Sequence, residues 1–167
     1  KAARGTFLLF VLTILLAISA QPLFAQEKSL IWDRFDVDIV VKKDGSFDVS
    51  EHQTIHFTSG TFTKGSRSIP KNKFDALDNF SVTDASGNTY QQATDGTEPF
   101  TFTVAENYNN YTIYWYFPAT SGSTETYTLN YSVIGGLRIY DGGDQLWWKA
   151  VYADRPFPVR ASRVRVI

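Results

Sequence analysis

The stretch RFDVDIVVKKDGSFDVSEHQTIHF, residues 34–57, decides the fold class. Phe35, Val37, Ile39 and Val41 alternate with Asp36, Asp38 and Val40. A period of two over this length is the signature of a half-buried strand. Asp44-Gly45 then breaks the alternation where a hairpin turn needs residues that tolerate positive φ. The return run carries Phe47, Val49, Ile55 and Phe57 on one face and His52, Thr54 and His56 on the other. Glu51 and Gln53 interrupt the apolar file, which places the middle of this strand near an edge or rim.

Working outward, the same pattern repeats. FSVTDASGNTY reads as a hairpin turning at Ser86-Gly87-Asn88, and PFTFTVAENYNNYTIYWYF as another with ENYNN as its loop. In the latter, Tyr111, Ile113, Trp115 and Phe117 alternate with Thr112, Tyr114 and Tyr116, and Pro118 is expected to end the strand. ETYTLNYSVIG files Tyr127, Leu129, Tyr131 and Val133 on one side. TSGTFTKGSRSIPKNKF, rich in Gly, Ser and Lys, reads as a long loop. Short strands with turn signals at intervals of about 8–12 residues predict an all-β, immunoglobulin-like antiparallel β-sandwich. In GGLRIYDGGDQLWWKAVY, residues 135–152, the polar YDGGD is a loop and QLWWKAVY starts a strand. Extended backbone sends Trp147 and Trp148 to opposite faces, so Trp148 is expected in the core and Trp147 outside it.

The first 25 residues precede this domain. Lys1 and Arg4 are a short basic region before FLLFVLTILLAISA, and Ala25 closes a cleavage-site pattern. That is the layout of a secretory signal peptide, or of an N-terminal membrane segment if it is retained. The domain division is therefore 1–25 for the signal and 26–167 for the sandwich. The product is expected to be exported, to the outer face of the cell membrane or the cell surface. The chain starts at Lys1 and ends in SRVRVI within a strand pattern, and is read as part of a longer protein. It has no Cys, so disulfides and thiolate metal sites are excluded. Sixteen basic and 17 acidic residues give a net charge of −1. Losing Lys1 and Arg4 with the signal leaves −3, which is not a nucleic-acid-binding balance.

The order of four blocks resembles the N-terminal extracytoplasmic domain of a family of predicted bacterial membrane proteins, domain-of-unknown-function family 2207. They are WDRFDVDIVVKKDGSFDVSEHQTIHF, GTFTKGSRSIP with its Arg-x-Ile-Pro at residues 67–70, FSVTDASGNTY, and YSVIGGLRIYDGGDQLWWKAVY followed by RPFPVRASRVRV. One departure is Phe157 in RPFP, where the family usually has a Trp shortly before its Pro-containing strand. The resemblance implies transmembrane helices beyond this chain, no established activity and no transferable catalytic residue. It marks Arg67 as the family's best polar residue, with a structural role.

Chemistry finds little to stand on. His52 and His56, four apart on a strand, lie roughly 13 Å apart, too far to share an ion. Asp141 and Asp144, or Asp33, Asp36 and Asp38, lack the ligand series of an EF-hand, and Asp36 and Asp38 are placed on a solvent face. Ser66 and Ser68 sit in no nucleophile motif. Glu51, Glu98, Glu106 and Glu125 are scattered. No catalytic residue, cofactor or metal is assigned. The expectation is a non-enzymatic extracytoplasmic domain of a membrane-anchored protein, serving interaction or envelope structure. Its partners would be the membrane, through a signal anchor or later transmembrane helices, and a protein or glycan. The alternative is a secreted or surface carbohydrate-binding module using exposed Trp and Tyr. The candidate ligand or partner surface is Trp115, Tyr140, Trp147 and Arg67. Aromatics at 16% of the chain serve either reading, since a disulfide-free sandwich also fills its core with them.

Overall fold

A computed structural model describes residues 27–152 and 155–167. The signal segment expected at residues 1–25 lies outside the described residues. Described strands are β1 (Ser29–Val41), β2 (Phe47–Ser59), β3 (Phe62–Pro70), β4 (Ala76–Asp84), β5 (Gln91–Gln92), β6 (Thr101–Glu106), β7 (Asn110–Thr120), β8 (Thr124–Ile134), β9 (Leu137–Arg138), β10 (Gln145–Leu146) and β11 (Ser162–Val166). One sheet has the order β11-β1-β2-β8-β4 and the other β3-β7-β6-β5, with β9 and β10 a separate ribbon. No described helix is long and apolar enough to cross a membrane.

The two large sheets pack face to face as an all-β sandwich, the class expected from the alternation. Inward files supply the core: Phe35, Val37 and Ile39 from β1, Phe47, Val49, Ile55 and Phe57 from β2, Leu129, Tyr131 and Val133 from β8, and Ile113, Trp115 and Phe117 from β7. Pairing is antiparallel except at two places, β1 with β11 and β5 with β6. The outer face of the larger sheet is polar. Its cross-strand pairs include Ser50 with Asn130 and His52 with Thr128.

Lys42 to Ser46 form the expected β1–β2 turn. The Gly45 N–H donates to Lys42 and the Lys42 N–H to Ser46. Gly45 alone there has positive φ, 82°, so the turn is a type I reversal closed by a left-handed glycine rather than two left-handed residues. The Asp44 carboxylate accepts from the Ser46 backbone and hydroxyl.

Several expectations need correction. The segment expected as a loop contains β3, which pairs with β7 through eight register partners. Its Gly, Ser and Lys have poor strand propensity, and the pairing overrides it. Pro118 does not end β7. The strand continues to Thr120 across an irregularity opposite Phe62–Lys64, where a missing N–H is tolerated. Only Gln145–Leu146 of QLWWKAVY is strand. The Trp orientations still hold: Trp148 packs on Phe47, Phe74 and Tyr131, while Trp147 is 60% exposed. Asp36 lies on the outer face with Asp38, as expected, but is buried there, because Arg34 and Arg163 close over it.

Strand β11 is fastened to β1 by charge as well as by its ladder. Nε and Nη2 of Arg165 donate to the two oxygens of Asp38 at 3.0 and 2.8 Å. The hydrogen bond from Arg165 holds the Asp38 carboxyl below its ordinary value. The folded value lies below the unfolded one, so this contribution is complete above the unfolded pKa of about 4 and fades as pH falls through the folded pKa. Arg165 is more than half exposed, so solvent screens the pair and its effect is local. Asp38→Asn should therefore lower the protection of the Arg165 and Ile167 amides, the β11 donors of the parallel ladder, at neutral pH, and shrink the loss of protection seen on acidification. Unchanged exchange would mean that the backbone ladder alone holds β11.

Candidate functional site

Strand β2 is central in its sheet, between β1 and β8. Its inward positions are thus the deepest in the protein, and two of them are Glu51 and Gln53, 0% and 1% exposed. The expected rim is in fact the core. A carboxylate there costs several kcal/mol unless it is paired and hydrogen-bonded. The pairing comes from the facing sheet. Arg67 on β3, 5% exposed, points inward beside Ile69 and meets Glu51. Its Nε lies 2.8 Å from each Glu51 oxygen and its Nη2 lies 2.7 Å from Oε1. The Tyr131 hydroxyl donates to Oε1 at 2.7 Å and Gln53 Nε2 to Oε2 at 3.2 Å. The remaining Arg67 donors reach the carbonyls of Ser68 and Ala150.

The network extends one step further toward solvent. Trp32 Nε1 donates to Gln53 Oε1 at 3.0 Å. An indole nitrogen only donates, which fixes the orientation of the Gln53 amide and leaves its NH₂ for Glu51. Burial by itself would lower the Arg67 pKa, but the Glu51 carboxylate beside it carries the net shift upward. Burial and then Glu51 push the Tyr131 hydroxyl well above its ordinary value. Arg67 and Tyr131 therefore each keep one protonation state through the physiological range. Both Glu51 oxygens accept from donors within the core. This cluster couples the two sheets.

Beside it opens a cleft of about 480 Å³, between the β1–β2 side of one sheet and the β3–β7 side of the other. Its walls are Leu30, Ile55, Phe57, Phe62, Trp115 and Phe117, and Arg67 forms part of its floor. Tyr152, Arg155, Pro156 and Phe157 also line it. Arg155 lies with its guanidinium 5.1 Å from the Trp32 ring centre and 4.4 Å from that of Phe35. Its Nε donates to the Tyr152 carbonyl. Burial, then the nearby Arg67 charge, lowers its pKa from the ordinary guanidinium value. Arg67 in turn lies 4.6 Å over the Tyr152 ring, whose hydroxyl pKa is raised chiefly by burial.

Gly65 makes this wall possible. A Cβ at that position would lie 2.1 Å from Cζ2 and 2.2 Å from Cε2 of Trp115. The indole therefore lies directly on the β3 backbone, in space that only glycine leaves open.

The four residues singled out from the sequence do not form one surface. Trp115 and Arg67 both line the cleft. Trp115 is 1% exposed, because the β7 alternation points it inward, so it is no exposed stacking platform. Arg67 is committed to Glu51. Tyr140 and Trp147 are exposed at 56% and 60% and lie outside the cleft. Lys73 Nζ sits 4.6 Å from the Trp147 ring centre, covering one face of it. His52 and His56 face outward and are each bonded to a threonine hydroxyl. Among the described residues no group of three or more His, Asp or Glu is placed to hold a metal ion.

Glu51, Gln53, Trp32 and Arg155 were not picked out as site residues. One signal was available: Glu51 and Gln53 occupy the inward phase of a strong alternation, and Arg67 the phase of Ile69. An acid and a base each out of place in an apolar file are candidates to be each other's partner.

A family model described as "Predicted membrane protein (DUF2207) N-terminal domain" matches residues 32–167, all of the described strands except the first three residues of β1. The comparison with curated proteins gives no match. Among solved structures, a crystal structure of "a putative protease" from Parabacteroides distasonis ATCC 8503 is similar over 64% of this chain, at 10% identity and a TM-score of 0.36. This chain spans 23% of that protein's length. A similarity at that level says nothing about the chemistry of this chain.

Proposed function

The chain belongs to the family of the predicted membrane protein (DUF2207) N-terminal domain, and from that premise we propose that it is the extracytoplasmic, non-enzymatic domain of a membrane-anchored protein and acts by binding a partner in its lateral cleft. The observation that carries this reading is the division of labour between two neighbouring regions. The buried ionisable groups, Glu51, Arg67 and Tyr131, saturate one another. The open cleft next to them presents mainly apolar and aromatic side chains. Such a surface favours binding over group transfer, since a concave apolar site with a few polar groups is the usual form of a ligand pocket. The apolar run at residues 7–20, after a basic start, supports export.

The absence of cysteine makes the topology directly testable. Ser86 is exposed in the turn after β4. In cells expressing the full-length protein, Ser86→Cys should react with a membrane-impermeant maleimide before lysis. Labelling only after lysis would place the domain in the cytoplasm and remove the proposal.

A further inference from the structure

We propose that the lateral cleft binds a single-chain amphiphile with an anionic head, a carboxylate or a phosphate, with the head against Arg155 and the chain along the β2, β3 and β7 wall. The inference rests on the binding reading above and adds the chemical class of the ligand.

Among the described residues, one cation at the cleft has no anionic partner and one indole N–H in its wall has no acceptor. Among the described residues, Arg155 has no carboxylate within ion-pair distance; its recorded contacts are the Tyr152 carbonyl and the faces of Trp32 and Phe35. A half-buried guanidinium resting on aromatic rings has lost much of its hydration, and an anion is what it lacks. Trp115, in the wall of the same cleft, has an indole N–H that is buried with no hydrogen-bond partner. Both groups only donate; the Trp115 N–H is closed in, and half-buried Arg155 is the one that a bound acceptor can reach.

The charge around them has one sign. Among the described residues, those lining the cleft include Lys64, Arg67 and Arg155 and no Asp or Glu. Arg67 is neutralised from behind by Glu51, which leaves Lys64 and Arg155 as the uncompensated charge. Lys64 rests its ammonium 5.6 Å from the Tyr114 ring centre, on the outer side of β3, so Arg155 is the cation set in the apolar surface.

The lining also includes Gln53, Ser66 and Ser68, but the larger part of the remaining wall has the opposite character. Leu30, Ile55, Phe57, Phe62 and Phe117 offer no hydrogen-bonding group, so the body of the ligand is hydrocarbon. A sugar would leave its hydroxyls unpaired against this wall. About 480 Å³ falls within the roughly 300–1,000 Å³ of small-ligand pockets. A domain tethered beside a bilayer meets such amphiphiles at high local concentration.

The test titrates the full chain by calorimetry with monomeric laurate and dodecyl phosphate, and with 1-dodecanol as the uncharged equivalent. Both anions should bind at least tenfold more tightly than the alcohol. Arg155→Gln should weaken the anions at least fivefold and leave the alcohol unchanged, with Arg155→Lys recovering part of the loss. The melting temperature of each variant checks that the fold is retained. Equal binding of alcohol and anion, or anion binding indifferent to Arg155→Gln in a folded protein, would overturn the proposal. Co-sedimentation with phosphatidylglycerol vesicles separates the sources. Vesicle binding that Arg155→Gln abolishes identifies a bilayer lipid, whereas binding of monomers without vesicles identifies a free amphiphile. No binding in either arm, with Ser86→Cys still labelled from outside, would refute the ligand class and leave the topology standing.

Discussion

Arg67→Ala should be among the most damaging single changes in this protein, lowering stability by about 3–5 kcal/mol. The loss has little to do with the arginine's own packing. It comes from Glu51, which stays at the centre of the larger sheet with Tyr131 and Gln53 but no counter-ion. At roughly 2–4 °C per kcal/mol for a domain of this size, the thermal midpoint should fall by about 6–20 °C. The double variant Glu51→Leu, Arg67→Met removes both charges together. It should recover most of the loss, because apolar replacements of similar volume are often as stable as the buried pair they replace. Calorimetric melting of the wild type, the two singles and the double completes the cycle. If Arg67→Ala costs less than 1 kcal/mol, water reaches Glu51 and the network is not the seal between the sheets described above.

That network marks where the sequence stops being legible. The alternation of β1 and β2 and the Asp44-Gly45 turn are local, and the chain reports them directly. Which face is deepest is not local. Glu51 and Gln53 looked like a rim because acids and amides in apolar files usually meet water. What buries them is Arg67, 16 residues on, and Tyr131, 80 residues on. The partner strand was itself hidden, since Lys64, Gly65, Ser66 and Ser68 read as loop until β7 lies beside them. The cleft is hidden for the same reason. Its walls come from four strands and from Tyr152 and residues 155–157, brought together by a sheet order that no single stretch encodes. The tryptophan pair is an intermediate case. Its opposed orientation follows from side-chain geometry, and survives although most of that segment is not strand.

Trp115 and Gly65 should behave as one unit in a second experiment. Trp115→Ala should cost about 3–5 kcal/mol, the range for removing a fully buried aromatic side chain, because the indole is closed in against Tyr127 and the β3 backbone. Gly65→Ala should cost about 1–3 kcal/mol in the wild type, as overpacking does, because the new methyl would lie 2.1–2.2 Å from the indole carbons, far inside van der Waals contact. The two penalties should not add. With Trp115 reduced to Ala, the obstruction facing the Gly65 methyl is gone, and Gly65→Ala should become nearly neutral or even stabilising, since alanine has less backbone freedom to lose than glycine. The expected coupling is 1 kcal/mol or more, within the range for contacting residues. Simple additivity would mean that β3 moves outward to admit the methyl. In that event the cleft wall between β3 and β7 would yield to small volume changes, and the fixed shape assigned to it would have to be given up.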